Sequence, residues 1–410
     1  MIRQTLLACG TMLIVLAAVA ETLAQNNPNT KPLAATAWRL AEPINYKNMI
    51  IFPVVSDRPA SAETSHFTTL DEALSSGEAV IREQKSEPVA HSAGRHGRQQ
   101  EQQEASVNQL VLVYRGQKQL LLLAGELVQG GDQDRIISQD RIVPPGSEPL
   151  PLDVFCVEQG RWSSGEEFAS GRMIAHPSVR EKAAVDQEQT KVWQAVLAGS
   201  TAMTVAGGPA PGLSSGRAYE TAAANEDAPV QVRRTSPAVN TSSATLSAQT
   251  VSVIVSSEAR TSSYARIYRS SRVEDSVHPF VKEMQKRFAQ RVAEIKGESI
   301  VGVVVSYGAD IAWSDIFASP ALFERYWPKL SRSYVIEALA RPQTTELPSF
   351  DDAAAFLESL NGQETVENGH GPYNLRRVTQ ADYVQIDLEA LRPVPVDLHT
   401  VQIHRTHGAD

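Results

Sequence analysis

Apolar residues along this chain follow two rhythms, one of strands and one of helices. Met49 to Val55 is an unbroken apolar run, and Val107 to Tyr114 is nearly one. Short β-branched runs of this kind predict strands. RGQK at 115–118 reads as a turn, after which the apolar run resumes from Gln119 to Val128. Gly130-Gly131 reads as a two-residue hairpin turn into a strand over Gln133 to Ile137, and Leu150 to Val157 supplies a fourth strand. Further on, Ser299 to Ser306 is β-branched, Gly308-Ala309-Asp310 turns it, and Ile311 to Trp313 continues it. VQIDLEAL and VDLHTVQIH, near the end, alternate as two final strands.

Helical spacing is confined to a few stretches. TTLDEALSSG carries a cap at Thr68 or Thr69 and a stop at Gly77. Residues 178–198 bring Val192, Trp193, Val196 and Leu197 to one face, with Gly199 behind them. Val277, Phe280, Val281, Met284, Phe288, Val292 and Ile295 repeat at helical intervals, capped by Ser276 and stopped by Gly297. Ser319-Pro320 opens another helix, which Pro328 is expected to break or kink before a second segment to Ala340. Ser349 caps a last helix ending near Gly362.

Two segments lack either rhythm. Residues 85–105 are polar and read as a mobile loop. Residues 200–262 shift to Ser, Thr, Ala, Gly and Pro, a composition that buries too little to offset its ordering entropy. TVSVIVS inside that stretch is an isolated candidate strand. Strands cluster and helices follow without βαβ alternation, which predicts an α+β fold: an antiparallel β-rich core with packed helices and a long low-complexity insertion. The expected organisation is a leader over 1–24, a β-rich part over 36–199, the insertion over 200–262, a second part over 263–341 and an α/β tail over 342–410.

Composition narrows the function classes. The chain has 410 residues and a formal charge of -9, which argues against a nucleic-acid binder held by phosphate contacts. Arg3, the apolar LLACGTMLIVLAAVA and small residues before Ala20 or Ala24 predict a cleaved signal peptide, hence a secreted or periplasmic protein. After cleavage no membrane span is expected, and Cys156 is the one remaining cysteine, so no internal disulfide forms.

The chemistry concentrates in GELVQGGDQDR (125–135) and CVEQGRW (156–162). With a turn at Gly130-Gly131, Val128 faces Gln133 and Glu126 faces Arg135, and strand alternation puts all four on one face. Glu126 and Arg135 then form a cross-strand ion pair, either structural or part of a site. Asp132, Asp134, Asp140 and Arg141 lie close in sequence. In the second stretch Leu150, Leu152, Val154 and Cys156 alternate on one face, which makes Cys156 a small buried hydrophobe rather than a nucleophile. Glu158, Arg161 and Trp162 follow; Arg161 has the planar fork that binds carboxylate or phosphate, and Trp162 can stack on a ring. The histidines, among them His399, His404 and His407, have no metal spacing, and no phosphate-loop or nucleophile-elbow motif occurs, so neither metal nor cofactor is expected. SSGEEFASG reads as a polar loop.

These stretches, with TLDEAL, VNQLVLVYRG, VGVVVSYGADIAWSDIF and WPKLSRSYVIEALA, resemble the ARPP family, the ARG and rhodanese-phosphatase-superfamily-associated protein domain, over about residues 40–341. The family pattern has Ala, Lys and Asn where this chain has Gly131, Asp132 and Asp134, so the hairpin here is more acidic. The resemblance implies association with ADP-ribosylglycohydrolase and phosphatase-like proteins, a hint of nucleotide or ADP-ribose chemistry, for a domain whose own activity is uncharacterised.

Two expectations follow. The first is an extracytoplasmic binding or interaction module for a small molecule or protein, with Gln133, Arg135, Glu158, Arg161 and Trp162 on a polar surface. The second is a hydrolase of a nucleotide-like or glycosidic substrate, with Glu126, Asp134 or Asp140 as acid or base. A cleft shared by both stretches would favour a site; full packing would favour a structural role.

Overall fold

In the computed structural model, the described residues are 38–57, 62–84, 108–158, 165, 167–202, 264, 271–295, 298–342, 344, 346–369 and 372–405. The leader, the 85–105 loop, nearly all of the 200–262 insertion, TVSVIVS, Arg161, Trp162 and His407 lie outside them. Strands β1 (Trp38–Leu40), β2 (Ile44–Tyr46) and β3 (Met49–Ser56) come first, then a 3-10 turn (Ala62–His66) and β4 (Phe67–Thr69). Helix α1 (Leu70–Ser76) precedes β5 (Ala79–Glu83), β6 (Gln109–Tyr114), β7 (Gln119–Leu122), β8 (Glu126–Gly130), β9 (Arg135–Ile137), β10 (Arg141–Val143), β11 (Leu150–Cys156) and β12 (Glu167–Ile174). Then come α2 (Pro177–Glu181), a π-turn (Lys182–Asp186), α3 (Gln189–Ala202) and α4 (Ser271–Glu294). β13 (Ser299–Tyr307), β14 (Asp310–Phe317), α5 (Pro320–Ala340), α6 (Phe350–Ala355), β15 (Gln363–Asn368), β16 (Tyr373–Gln380), β17 (Tyr383–Ala390) and β18 (Val396–His404) complete the order.

The fold is α+β, built on antiparallel pairing. β1, β3, β13, β14, β18, β17, β16 and β15 form one sheet in that order, with β2 joined to β3. β11, β6, β5, β12, β8 and β9 close into a barrel, and β10, β7 and β4 form a small third sheet. The final strands thus extend the sheet started by β3 and β13, through the β14–β18 pair. The barrel interior is filled by Ile81, Leu110, Leu112, Val128, Ile137, Leu152 and Val154. A larger core joins Ile51, Val303, Val305, Trp313 and Val401 of the sheet to Phe323, Tyr326, Leu330 and Tyr334 of α5.

Local signals account for several boundaries. Thr69 caps α1 by accepting from Glu72 N while the Glu72 side chain accepts from Thr69 N, and Gly77 ends the helix in the left-handed region. Ser319 caps α5 and Ser349 caps α6. Other expectations are corrected. α5 is one helix from Pro320 to Ala340 with Pro328 inside it, so the expected break does not occur. An interior proline costs about 3 kcal/mol. Phe323, Tyr326, Leu330 and Tyr334 are buried on both sides of it, each contributing about 1.5–3 kcal/mol, which decides the balance. α4 likewise starts at Ser271, ahead of Ser276, and includes Pro279. α6 stops at Ala355, well short of Gly362. The end of SSGEEFASG is part of strand β12, paired with β5 and β8.

The apolar run from Gln119 to Val128 is two strands in two sheets, not one. Gly125, at φ +85°, makes the corner between β7 and β8. A Cβ there would lie 2.5 Å from Arg180 Cγ, so the missing side chain lets Arg180 pass beneath the corner.

Candidate functional site

β8 and β9 form the expected hairpin, but in a different register. Val128 pairs with Arg135 and Leu127 with Ile136, so the Glu126–Arg135 pair and the two-residue turn at Gly130-Gly131 are both corrected. The offset is two residues, which leaves every side chain on its expected face. The Asp134 carboxylate closes the longer loop, accepting from Gly130 N at 3.2 Å and Gln129 Nε2 at 3.4 Å. Asp134 N in turn donates to Glu158 Oε2 at 2.9 Å.

Gln133, Arg135, Cys156 and Glu158 do converge, but inside the protein. Arg135 Nη1 donates to Gln133 Oε1 at 3.4 Å, the Cys156 thiol donates to the same oxygen, and Arg135 Nη2 lies 3.9 Å from Glu83 Oε1. Burial pushes the Cys156 thiol up, outweighing the attraction of Arg135. Glu126, Gln133, Asp134, Arg135, Asp140 and Glu158 are each 4 % exposed or less. The expected polar surface of Gln133, Arg135 and Glu158 is therefore corrected to a packed interior cluster.

Glu126 faces α5. Lys329 donates to both the Glu126 carboxyl and Asp71 Oδ2, the latter at 2.8 Å, while Leu123 N donates to Glu126 Oε2 at 2.7 Å. Burial pushes the Glu126 carboxyl up, and Asp71 adds to this against the pull of Lys329. Lys329 is held above the usual lysine range: burial opposes its charge, but Glu126 and Asp71 outweigh it.

Asp140 opens onto a second network that sequence reasoning missed. His399 Nδ1 donates to Asp140 Oδ2 at 2.5 Å and Nε2 donates to Asp315 Oδ1 at 3.1 Å. Ionised carboxylates only accept, so both ring nitrogens carry protons and the ring is an imidazolium. Burial opposes that charge, yet Asp140 and Asp315 push the ring up to about 9. Arg180 grips Asp315 with two bonds of 2.8 Å, and Trp313 Nε1 and the Tyr334 hydroxyl donate to Asp315 Oδ2. Burial disfavours the Asp315 charge, but Arg180 and His399 hold it well below the usual carboxylate range. The other oxygen of Asp140 accepts from Ala124 N at 2.8 Å. Two anions and two cations thus balance. The available signal was a charged residue in phase with apolar ones: His399 with Val401 and Ile403, Asp315 with Trp313 and Phe317.

The arrangement can stabilise charge and hold strands together; its acids and bases are occupied by one another. Among the described residues no group of three or more His, Cys, Asp or Glu is placed to hold a metal. Open concavity lies elsewhere. A groove of about 770 Å³ is lined by Lys118, Gln119, Pro144, Pro145, Arg392 and Val394, in the β6–β7, β10–β11 and β17–β18 connections. Its charged lining residues are of both signs, Glu63 with Lys118 and Arg392.

A family model described as the ARG and Rhodanese-Phosphatase-superfamily-associated Protein domain matches residues 37–393, past the 341 at which the resemblance was expected to end. Comparison with curated proteins and with solved structures gives no match.

Proposed function

Since the chain belongs to the family of the ARG and Rhodanese-Phosphatase-superfamily-associated Protein domain, whose description names an association and no reaction, we propose that it is a non-catalytic binding or interaction module working outside the cytoplasm. One observation carries this reading: Glu126, Asp134 and Asp140 are buried and bound to protein donors, so none offers an acid, a base or a nucleophile to a substrate. The same internal pairing weighs against the hydrolase alternative. Recognition then falls to exposed concave surface, first the groove beside Val394, a residue 51 % exposed.

The test pairs thermal-shift screening of the protein against nucleotides, ADP-ribose, sugars and metal salts with hydrolysis assays on chromogenic phosphoesters and glycosides. The reading expects no turnover, and a ligand shift that survives Glu126→Gln but is lost in Val394→Asp. Turnover abolished by Asp140→Asn in a folded protein would overturn it. Export is checked separately: the N-terminus of the exported product should follow Ala20 or Ala24.

A further inference from the structure

The hydrogen-bonded pairing of β12 with β8 lapses between Ser170 and Ile174. Gly171, Arg172 and Met173 fill the gap. Arg172 sits at φ +49°, a left-handed conformation that strains a side-chain-bearing residue. Gly171 belongs there because a Cβ would approach Leu127 O at 2.8 Å. Arg172 N donates to Ser170 Oγ at 3.0 Å, and that hydroxyl donates to Asp71, which ties the bulge to the Lys329 network beneath.

The bulge forms one wall of a shallow cavity of about 360 Å³, lined by Gly171, Arg172, Met173, Glu274 and Arg332. Arg332 of α5 reaches Glu274 of α4 with two bonds, 2.6 and 3.3 Å. Glu274 also has His278 at 3.9 Å. Arg172 has no ion pair among the described residues, and the charged residues lining the cavity are two arginines and one carboxylate. Planar guanidinium forks match the oxygens of phosphate-type groups better than any other side chain.

We propose that this cavity binds a compact oxyanion, a phosphate or the phosphate of a phosphomonoester, between Arg172 and Arg332, with Glu274 as the internal competitor that the anion displaces. The site is separate from the proline-lined groove and does not depend on it.

Calorimetric titration of the whole protein with inorganic phosphate, glycerol 3-phosphate and acetate tests this. Saturable binding of phosphate or glycerol phosphate, with acetate silent, is expected. Tighter binding of the ester than of phosphate assigns the site to phosphomonoesters; equal binding assigns it to the free anion. Arg172→Gly relieves the backbone strain, so the fold is retained, and affinity should fall about tenfold or more, the size of one charge-assisted hydrogen bond. Glu274→Gln should instead strengthen binding, because Arg332 loses its competitor. No saturable binding by either the parent or Glu274→Gln overturns the proposal, as does binding indifferent to both substitutions.

Discussion

His399 and Asp140, 259 residues apart in sequence, share a hydrogen bond of 2.5 Å in the interior. Asp140 lies between β9 of the barrel and β10 of the small sheet, while His399 lies on β18 of the large sheet. His399 bonds Asp315 with its other nitrogen, so one imidazolium joins the large sheet to the barrel side of the molecule. Such a link fixes how elements dock as much as it stabilises them, since burying four charges costs nearly what their pairing returns.

Replacing His399 with Leu should therefore be severe. It removes one cation and leaves Asp140 and Asp315 facing each other without it. Breaking a buried charge network in this way costs about 3–5 kcal/mol. Urea unfolding followed by fluorescence of the five tryptophans measures it. A loss below about 1 kcal/mol, the scale of an exposed pair, would show that the network contributes little.

The same residue sets a pH dependence. His399 is held at about 9 in the fold against an ordinary 6.5. A raised pKa adds stability that is complete below 6.5 and is lost as pH climbs through about 9. The span corresponds to about 3 kcal/mol, an order-of-magnitude figure. Asp315 acts in the opposite sense: lowered from an ordinary 3.8, it stabilises above that value and ceases to as acid protonates it. Unfolding midpoints taken from pH 4 to 10 should show a plateau up to roughly 6.5 and then a decline. In His399→Gln the alkaline decline should shrink; an unchanged profile would assign it to other groups.

How much of this the sequence carried depends on range. The α1 cap needs Thr69, Glu72 and Gly77, eight residues apart at most; the Gly77 stop and a cap at Thr68 or Thr69 were readable, and the structure chooses Thr69. The faces of the β8–β9 hairpin were also readable, because alternation survives a shift of two. The register itself was not, since the Asp134 carboxylate occupies the place of a backbone partner for Gly130, and composition does not reveal such a substitution. Continuation through Pro328 depends on tertiary burial of the residues around it. The His399 network was invisible for a simpler reason: Asp140, Arg180, Asp315 and His399 come from four distant elements, and only folding makes them neighbours.

Cys156 should be inert in the native state. Its thiol is buried, donates to Gln133 and is pushed up by that burial, so little thiolate exists to attack a reagent. Alkylation with iodoacetamide, mapped by mass spectrometry to residue 156, should occur in denaturant and be negligible without it. Rapid native labelling would instead mark the Gln133–Arg135–Cys156 cluster as open to solvent and revive a site reading there.

Lys329 and Glu126 allow a test of why the buried charges are there. Lys329→Met removes the cation that serves Glu126 and Asp71 together. Glu126 is fully buried, so its carboxyl must then take up a proton or stay charged without a partner. The expected cost is about 3–5 kcal/mol. Glu126→Gln should cost much less, because the amide oxygen still accepts from Leu123 N and Asp71 still pairs with Lys329. In Lys329→Met/Glu126→Met both buried partners are apolar, while Asp71 lies near enough to the surface to be solvated. The double variant should regain a large part of the loss, as matched apolar replacements of buried ion pairs do. Urea unfolding of all four proteins gives the coupling energy. If the double variant is no more stable than Lys329→Met alone, Glu126 has a requirement beyond charge balance, and the interior pair should be reconsidered as part of a working site.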